Sequence, residues 1–360
     1  MSIEDQIRNI IKNNSYITID QMMQEALTAH IDSYYKKPNI LGLKGDFITS
    51  PEISQLFGEM IGLWAIEQWQ KLSCPKKLNL VELGPGRGLL MRDLLRTAKL
   101  VPAFYHSINI NLIEINPYLI TEQKNNLTAC DRPIKWLDNI RQLEQVPTIF
   151  IANEFFDALP IKQYKKENKL WHEIVIRFND QSRQLYFDTI PITAKLQTEL
   201  TTKYTQADNG AIAEESAESL DIITNIAKCL KFCSGSALVI DYGYNLAQNL
   251  RTKNQYNSTL QAVKNHRYYT AILKALGNAD LSSHVDFYTL TERVKEQGIE
   301  AEQVISQNRF LTKYGIKLRI ESLCQKLEQK EQDILRKQIE RLISKNQMGE
   351  LFKVMIFNNL

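Results

Sequence analysis

"LNLVELGPGRGLLMRDLLR", residues 78–96, is the stretch on which the reading of this chain turns. An apolar run meets three glycines, Gly84, Gly86 and Gly88, and an amphipathic helical pattern follows. Glycine tolerates positive φ, so a strand can turn tightly into a helix there. Such a turn makes room for a nucleotide-like ligand at the helix N-terminus. The spacing is G-x-G-x-G and not the G-x-G-x-x-G of dinucleotide sites. Alone, either pattern is weak, and a plain strand-to-helix turn would also account for it.

Outward from this loop, further apolar runs end in acids. "INLIEI" carries Glu114, "WLDNI" carries Asp138, "TIFIANEFFDALP" runs into Asn153, Glu154 and Asp157, and "SALVIDYGY" carries Asp241. Helical patterns separate them, notably at 214–233, and "LFKVMIF" reads as a closing strand. This alternation predicts an α/β fold, a doubly wound parallel sheet with helices on both faces. Its ligand crevice lies at the carboxyl ends of the strands. Residues 165–210 and 242–290 break the alternation and read as insertions beside or over that crevice.

The bulk numbers exclude several classes. The chain has 360 residues, 44% of them apolar and 24% charged, as in an ordinary globular protein. A net charge of +3 announces no nucleic-acid partner. No run approaches the roughly 20 apolar residues of a membrane span. The five cysteines show no second pair at metal spacing, so no metal is expected. "MSIEDQIRNIIKNN" reads as an amphipathic helix without a presequence, and a bacterial cytoplasm is the expected setting.

Charge chooses between ligands. Glu82, two residues before Gly84, would repel a pyrophosphate, which argues against a nicotinamide dinucleotide. S-adenosylmethionine (SAM) carries an ammonium and a sulfonium, and an acid beside the loop suits it. Glu114 can accept hydrogen bonds from ribose hydroxyls in either cofactor. Asp138 falls where the adenine edge would lie. Thr49 and Ser50, with Asp46 and Glu52, cluster at a predicted helix start. Ser50 is the expected N-cap, Pro51 the first helical residue, and free amides there could bind the carboxylate of the methionine moiety.

Asn153, Glu154 and Asp157 sit at the tip of a central strand, where a methyl acceptor would be held. Two carboxylates match the planar fork of a guanidinium. The alternatives are that Asp157 caps the next turn and that Glu154 pairs with a nearby Lys or Arg. His284, between Asp280 and Asp286, and His266 each admit a general-base role, with a structural role as the alternative.

Seven blocks occur in order: "GDFITSPEISQLFGEMIGLW", "VELGPGRGLLMRDLLR", "IANEFFDALPIKQY", "VIDYGY", "TLQAVKNHRY", "ADLSSHVDF" and "MGELFKVMIF". Together they resemble the MidA-like family of SAM-dependent methyltransferases, over nearly the whole chain. The resemblance implies a class I methyltransferase fold with N-terminal helices and family-specific insertions. It places the cofactor loop on Glu82, Gly84, Gly86 and Gly88, and the ribose acid on Glu114. It also implies an arginine of a partner protein as acceptor, a core subunit of respiratory complex I among the candidates. Departures fall in loops: Ser33 before the tyrosine pair, Asn116–Pro117, Asn257–Ser258 and Gly277–Asn278.

The expected organisation is an N-terminal helical segment over 1–45 and a methyltransferase domain over 46–360. The expected function is SAM-dependent methylation of a protein arginine. A non-catalytic SAM-binding assembly chaperone and a small-molecule methyltransferase are the alternatives. The sequence leaves the oligomeric state open, a homodimer included.

Overall fold

The computed structural model describes residues 2–37, 49–252, 255–264 and 267–360. The six residues of β2 (Leu78–Leu83) are all buried, because layers of helix cover both faces of their sheet. On one side of β2 lie β3 (Ile108–Ile113) and then β4 (Ile134–Leu137); on the other lie β5 (Thr148–Asn153) and β10 (Gly235–Tyr244). All five run parallel. The strand order therefore reverses between β2 and β5, the place where an open α/β sheet parts to form a ligand crevice.

The expected parallel sheet is in fact mixed. β17 (Phe352–Asn359) pairs antiparallel with β10 and covers an edge that would otherwise stay open. β15 (Glu300–Ala301) and β16 (Ile305–Ser306) follow on β17, and β14 (Val285–Asp286) continues β10 in parallel.

One face of this sheet packs against α4 (Gln55–Lys71), α5 (Leu89–Ala98) and α6 (Pro102–Ser107) through Leu56, Trp64, Leu94 and Phe104. A Cβ at Gly58 of α4 would stand 2.8 Å from the Asp93 Cβ, so glycine lets α4 close onto α5. The other face is covered by α9 (Ala217–Cys233) and α10 (Phe287–Glu296), whose Ile223, Leu230 and Leu290 meet Val81, Phe150 and Val239.

Among the described residues, the two stretches read as insertions form sheets of their own. β6 (Lys162–Glu167), β7 (Leu170–Asn179), β8 (Gln184–Pro191) and β9 (Ile212–Glu215) are joined by β1 (Ile17–Thr18), which pairs with β7. α8 (Ala194–Lys203) packs on it through Leu200. β11 (Gln261–Lys264), β12 (Arg267–Tyr268) and β13 (Asp280–Ser282) make the third sheet. The N-terminal α1 (Ile3–Asn14) and α2 (Ile19–Gln24) bury Ile7, Ile11, Met22 and Met23 in one cluster with Ile174, Ile176, Ala262 and Leu281. The N-terminal segment and both insertions thus share a core. The boundary expected at residues 45 and 46 lies outside the described residues.

Candidate active site

The reversal in strand order opens a cleft of about 570 Å³, within the range of small-molecule sites. Thr49, Glu82, Gly84, Gly86, Glu114, Asp138, Asn153, Glu154 and Asp157 line it. Gly88 and Ser50 stand behind that lining. Asp46 and His266 lie outside the described residues.

The glycine loop has the conformation its residues require. φ is +59° at Gly84, +51° at Gly86 and +78° at Gly88. A Cβ at Gly84 would stand 2.7 Å from the Phe155 ring. The Gly88 amide donates to the Pro85 carbonyl at 2.7 Å, closing the turn into α5.

Glu82, next to last in β2, is almost wholly buried, and its Oε2 has no hydrogen-bond partner. Burial, with help from the nearby Glu114, pushes its carboxyl up to about 8. Glu114 is better satisfied. Its Oε1 accepts from the amides of Ile115 (2.9 Å) and Asn116 (2.8 Å), and its Oε2 from the Gln123 side chain (3.1 Å). Burial still raises its pKa. Asp138 follows β4, exposed at the rim.

The turn after β5 is held from a different strand. Asp241 of β10 is fully buried, and its Oδ2 accepts from three consecutive amides, Phe155 (3.1 Å), Phe156 (3.0 Å) and Asp157 (3.2 Å). Its Oδ1 accepts from the Tyr242 amide at 2.9 Å. Glu154 enters this turn with φ +50°, a strained value for a residue with a side chain. Its Oε1 accepts from the Ser50 amide (2.7 Å) and from Asn153 Nδ2 (3.1 Å), while its Oε2 is buried without a partner. Burial pushes Glu154 up to about 7, and the neighbouring Asp157 adds to this. Asp157 bonds the Tyr242 hydroxyl, and burial outweighs that bond to raise it to about 6. No Lys or Arg pairs with Glu154 among the described residues.

Two expectations at the N-terminal block need correction. The short helix α3 (Ser50–Ile53) begins at Ser50, so Thr49 holds the cap position, without a side-chain cap. The amides expected to cradle a carboxylate are engaged: Ser50 donates to Glu154, and Glu52 and Ile53 donate to the Thr49 carbonyl. Ser50 thereby holds the Glu154 carboxyl. His284 stands edge-on to the Tyr242 ring at 5.5 Å, and burial lowers its pKa, as for a packed ring. The flanking acids are committed elsewhere, Asp286 to the start of α10 and to Arg251 (2.7 Å), Asp280 to the Tyr35 hydroxyl (2.8 Å).

Sequence reading passed over Gln123, Tyr35 and Tyr242 and gave Asp241 no role. Asp241 ends an apolar run as Glu82 and Glu114 do, which was a usable signal. Gln123 lies in the unremarkable helix α7 (Pro117–Asn126), and nothing around it marks it.

Nine carboxylates and two arginines line the cleft, with no lysine or histidine among the described lining residues. Arg87 is already paired, with Glu122 (2.9 Å) and Glu52 (3.5 Å). Outside the Glu52–Arg87 ion pair, three lining side-chain atoms are buried without a hydrogen bond: Glu82 Oε2, Asn153 Oδ1 and Glu154 Oε2. All three are carboxyl or amide oxygens, acceptors once the carboxyls are ionised. A ligand that satisfies this cleft brings donors and positive charge.

A strand–glycine loop–helix at the switch point, with acids after three neighbouring strands, defines a nucleoside-cofactor enzyme whose ligands are cationic. Residues 60–305 match the family described as "Putative S-adenosyl-L-methionine-dependent methyltransferase". The protein arginine methyltransferase NDUFAF7 of Xenopus laevis, a mitochondrial protein, is 32% identical over 95% of this chain and 81% of its own length. Its human counterpart is 30% identical over 95% of this chain and 80% of its own. A crystal structure from Burkholderia thailandensis, bound to S-adenosyl-homocysteine, superposes with a TM-score of 0.86 at 24% identity. It covers 99% of this chain and 92% of that one. The chain belongs to this family of SAM-dependent methyltransferases, with SAM as its cofactor. The expectation of a bacterial cytoplasm does not stand, because the curated relatives are mitochondrial proteins.

Proposed function

We propose that the chain methylates the guanidinium of an arginine on a partner protein, with a core subunit of respiratory complex I as the first candidate. The observation that carries this reading is the set of three orphaned oxygens, on Glu82, Asn153 and Glu154, in an acid-lined cleft. The similar Xenopus and human proteins, both protein arginine methyltransferases, agree with it.

The residues fit SAM at one end. The three glycines leave a cradle without side chains, Glu82 offers an unpaired carboxyl to the ammonium, Glu114 takes ribose and Asp138 the adenine edge. When bound, SAM supplies an electrophilic methyl on a sulfonium. At the other end Asn153 Oδ1, Glu154 Oε2 and Asp157 receive the guanidinium N–H groups and fix the plane of the nucleophile. Positioning of this kind carries much of the rate. A guanidinium that gains a methyl must lose a proton, and its own pKa is too high for easy loss to solvent. Glu154, raised to about 7, is matched to accept that proton at neutral pH. We read the N-terminal segment and the insertions near 165–210 and 242–290 as the face that meets the protein substrate. From these segments Thr28, Tyr35 and Asp280 line the cleft.

The test is incubation with methyl-labelled SAM and the complex I core subunits, followed by acid hydrolysis. Label in methylarginine supports the reading. Label in another residue, or only in a small molecule, overturns it. A Gly86→Val variant that loses SAM yet still supports assembly would favour the chaperone alternative.

A further inference from the structure

Gln123 is fully buried, does not line the cleft, and has both side-chain N–H donors and its carbonyl oxygen engaged. Its Nε2 donates to the Gly86 carbonyl (2.7 Å) and to Glu114 Oε2 (3.1 Å), and its Oε1 accepts from the Trp136 indole (2.8 Å). Those partners fix the amide's orientation. A carbonyl and a carboxylate can only accept, and an indole N–H can only donate, so the flipped amide would fail at all three contacts. The Gln123 stem also packs on the glycine turn, its Cγ 3.3 Å from where a Cβ on Gly88 would stand. One side chain therefore ties together the segments that follow β2 and β3 and the strand β4, two residues ahead of Asp138.

We propose that Gln123 is a positioning residue for the cofactor, setting the orientation in which Glu114 meets a ribose hydroxyl. The proposal rests on the reading of Glu114 as the ribose acid. A carboxylate offers about four lone-pair directions. In Glu114 the amides of Ile115 and Asn116 take two, both on Oε1, and Gln123 takes a third, on Oε2. One direction remains for a ligand, and Gln123 decides where it points. Without Gln123 the Oε2 end would be free to swing, the Gly86 carbonyl would lose the amide that donates to it, and the glycine turn would lose its tie to Trp136.

The experiment is calorimetric titration of the purified chain with S-adenosylhomocysteine and with its 2′-deoxy and 3′-deoxy counterparts. Wild type should bind at least one deoxy ligand about tenfold or more weakly, as expected when a buried acceptor is left unpaired. Gln123→Leu keeps the stem and removes all three bonds. It should weaken S-adenosylhomocysteine about tenfold while leaving the deoxy ligand nearly unchanged, so the discrimination collapses. Trp136→Phe frees the amide to rotate and should do the same by about threefold; it decides the matter if Gln123→Leu does not fold. Kept discrimination in a folded variant, through unchanged or equally weakened binding of all ligands, overturns the role of Gln123 alone. Wild type indifferent to both hydroxyls overturns the reading of Glu114, and the proposal with it.

Discussion

The two halves of the cleft are built on different principles. Around the glycine loop, Glu114, Gln123, Trp136 and the Gly86 carbonyl form a network with most of its hydrogen bonds made, on the ends of neighbouring parallel strands. Around Asn153–Asp157 the backbone is locked by Asp241, but the side chains keep orphaned oxygens and one residue holds a strained φ. Apart from Glu82, whose Oε2 stays unpaired, the cofactor half is a seat finished before the ligand arrives. The acceptor half has a finished backbone and unfinished side chains, which on the proposed reading a cationic substrate completes. Strain and unpaired acceptors persist in folded proteins where the surrounding structure fixes them, and they collect where ligands act.

The sharpest way to break this contrast is Glu154→Gln. The amide can still accept from the Ser50 N–H, so the turn should hold. It cannot take a proton from the guanidinium. We expect kcat to fall by about 100-fold or more while the S-adenosylhomocysteine Kd stays within about twofold. Unchanged turnover would make Glu154 a turn residue and nothing more.

Gly84→Ala tests whether the halves are mechanically separate. The new methyl would strike the Phe155 ring of the acceptor turn, at a position whose φ is +59°. Both S-adenosylhomocysteine affinity and kcat should fall, each by about tenfold. Phe155→Ala in the same chain should restore part of the affinity. Gly210 is the control: φ is +89° there, but nothing lies within 4 Å of the new methyl. Alanine at 210 should cost about 1 kcal/mol of stability, read by denaturant melts, and leave binding unchanged. Equal effects at 84 and 210 would mean that backbone strain, not the Phe155 contact, couples the halves.

The cofactor half was legible because its parts are contiguous. Glu82 and the glycines lie within seven residues of one another, and Glu114 ends the next apolar run, so strand, turn and charge could be read together. The mixed sheet was harder to see, since an antiparallel closing strand buried on both faces has the same apolar run as a parallel one. Asn153, Glu154 and Asp157 were visible as acids at a strand tip. What holds them was not: Asp241 arrives from a strand more than 80 residues away, and the Ser50 amide from about 100 residues before. Ser50 looked like a cap by residue type, yet the helix begins at Ser50 itself and the amide proved more useful than the hydroxyl. Gln123 left no trace because its role exists only after three separate segments have met.

The smallest effect should come from Glu82, and its sign is informative. Burial raises its carboxyl to about 8, above the 4.5 of an unfolded chain. Between those values the folded state binds the extra proton, so Glu82 makes the ligand-free protein less stable as pH rises from about 5 to 8. We expect Tm to fall by about 2–5 °C over that window in the wild type and by less in Glu82→Gln. Saturating SAM should reverse the trend, because only the ionised carboxyl pairs with an ammonium. Activity should rise over nearly the same window for a separate reason. Asp157 at about 6 and Glu154 at about 7 must ionise to hold a guanidinium. In Glu154→Asp the midpoint of the kcat/KM profile should move, while the SAM-dependent change in Tm should not. A midpoint that moves instead with Glu82→Gln would mean that the two halves titrate as one unit, and the division between finished seat and unfinished side chains would have to be abandoned.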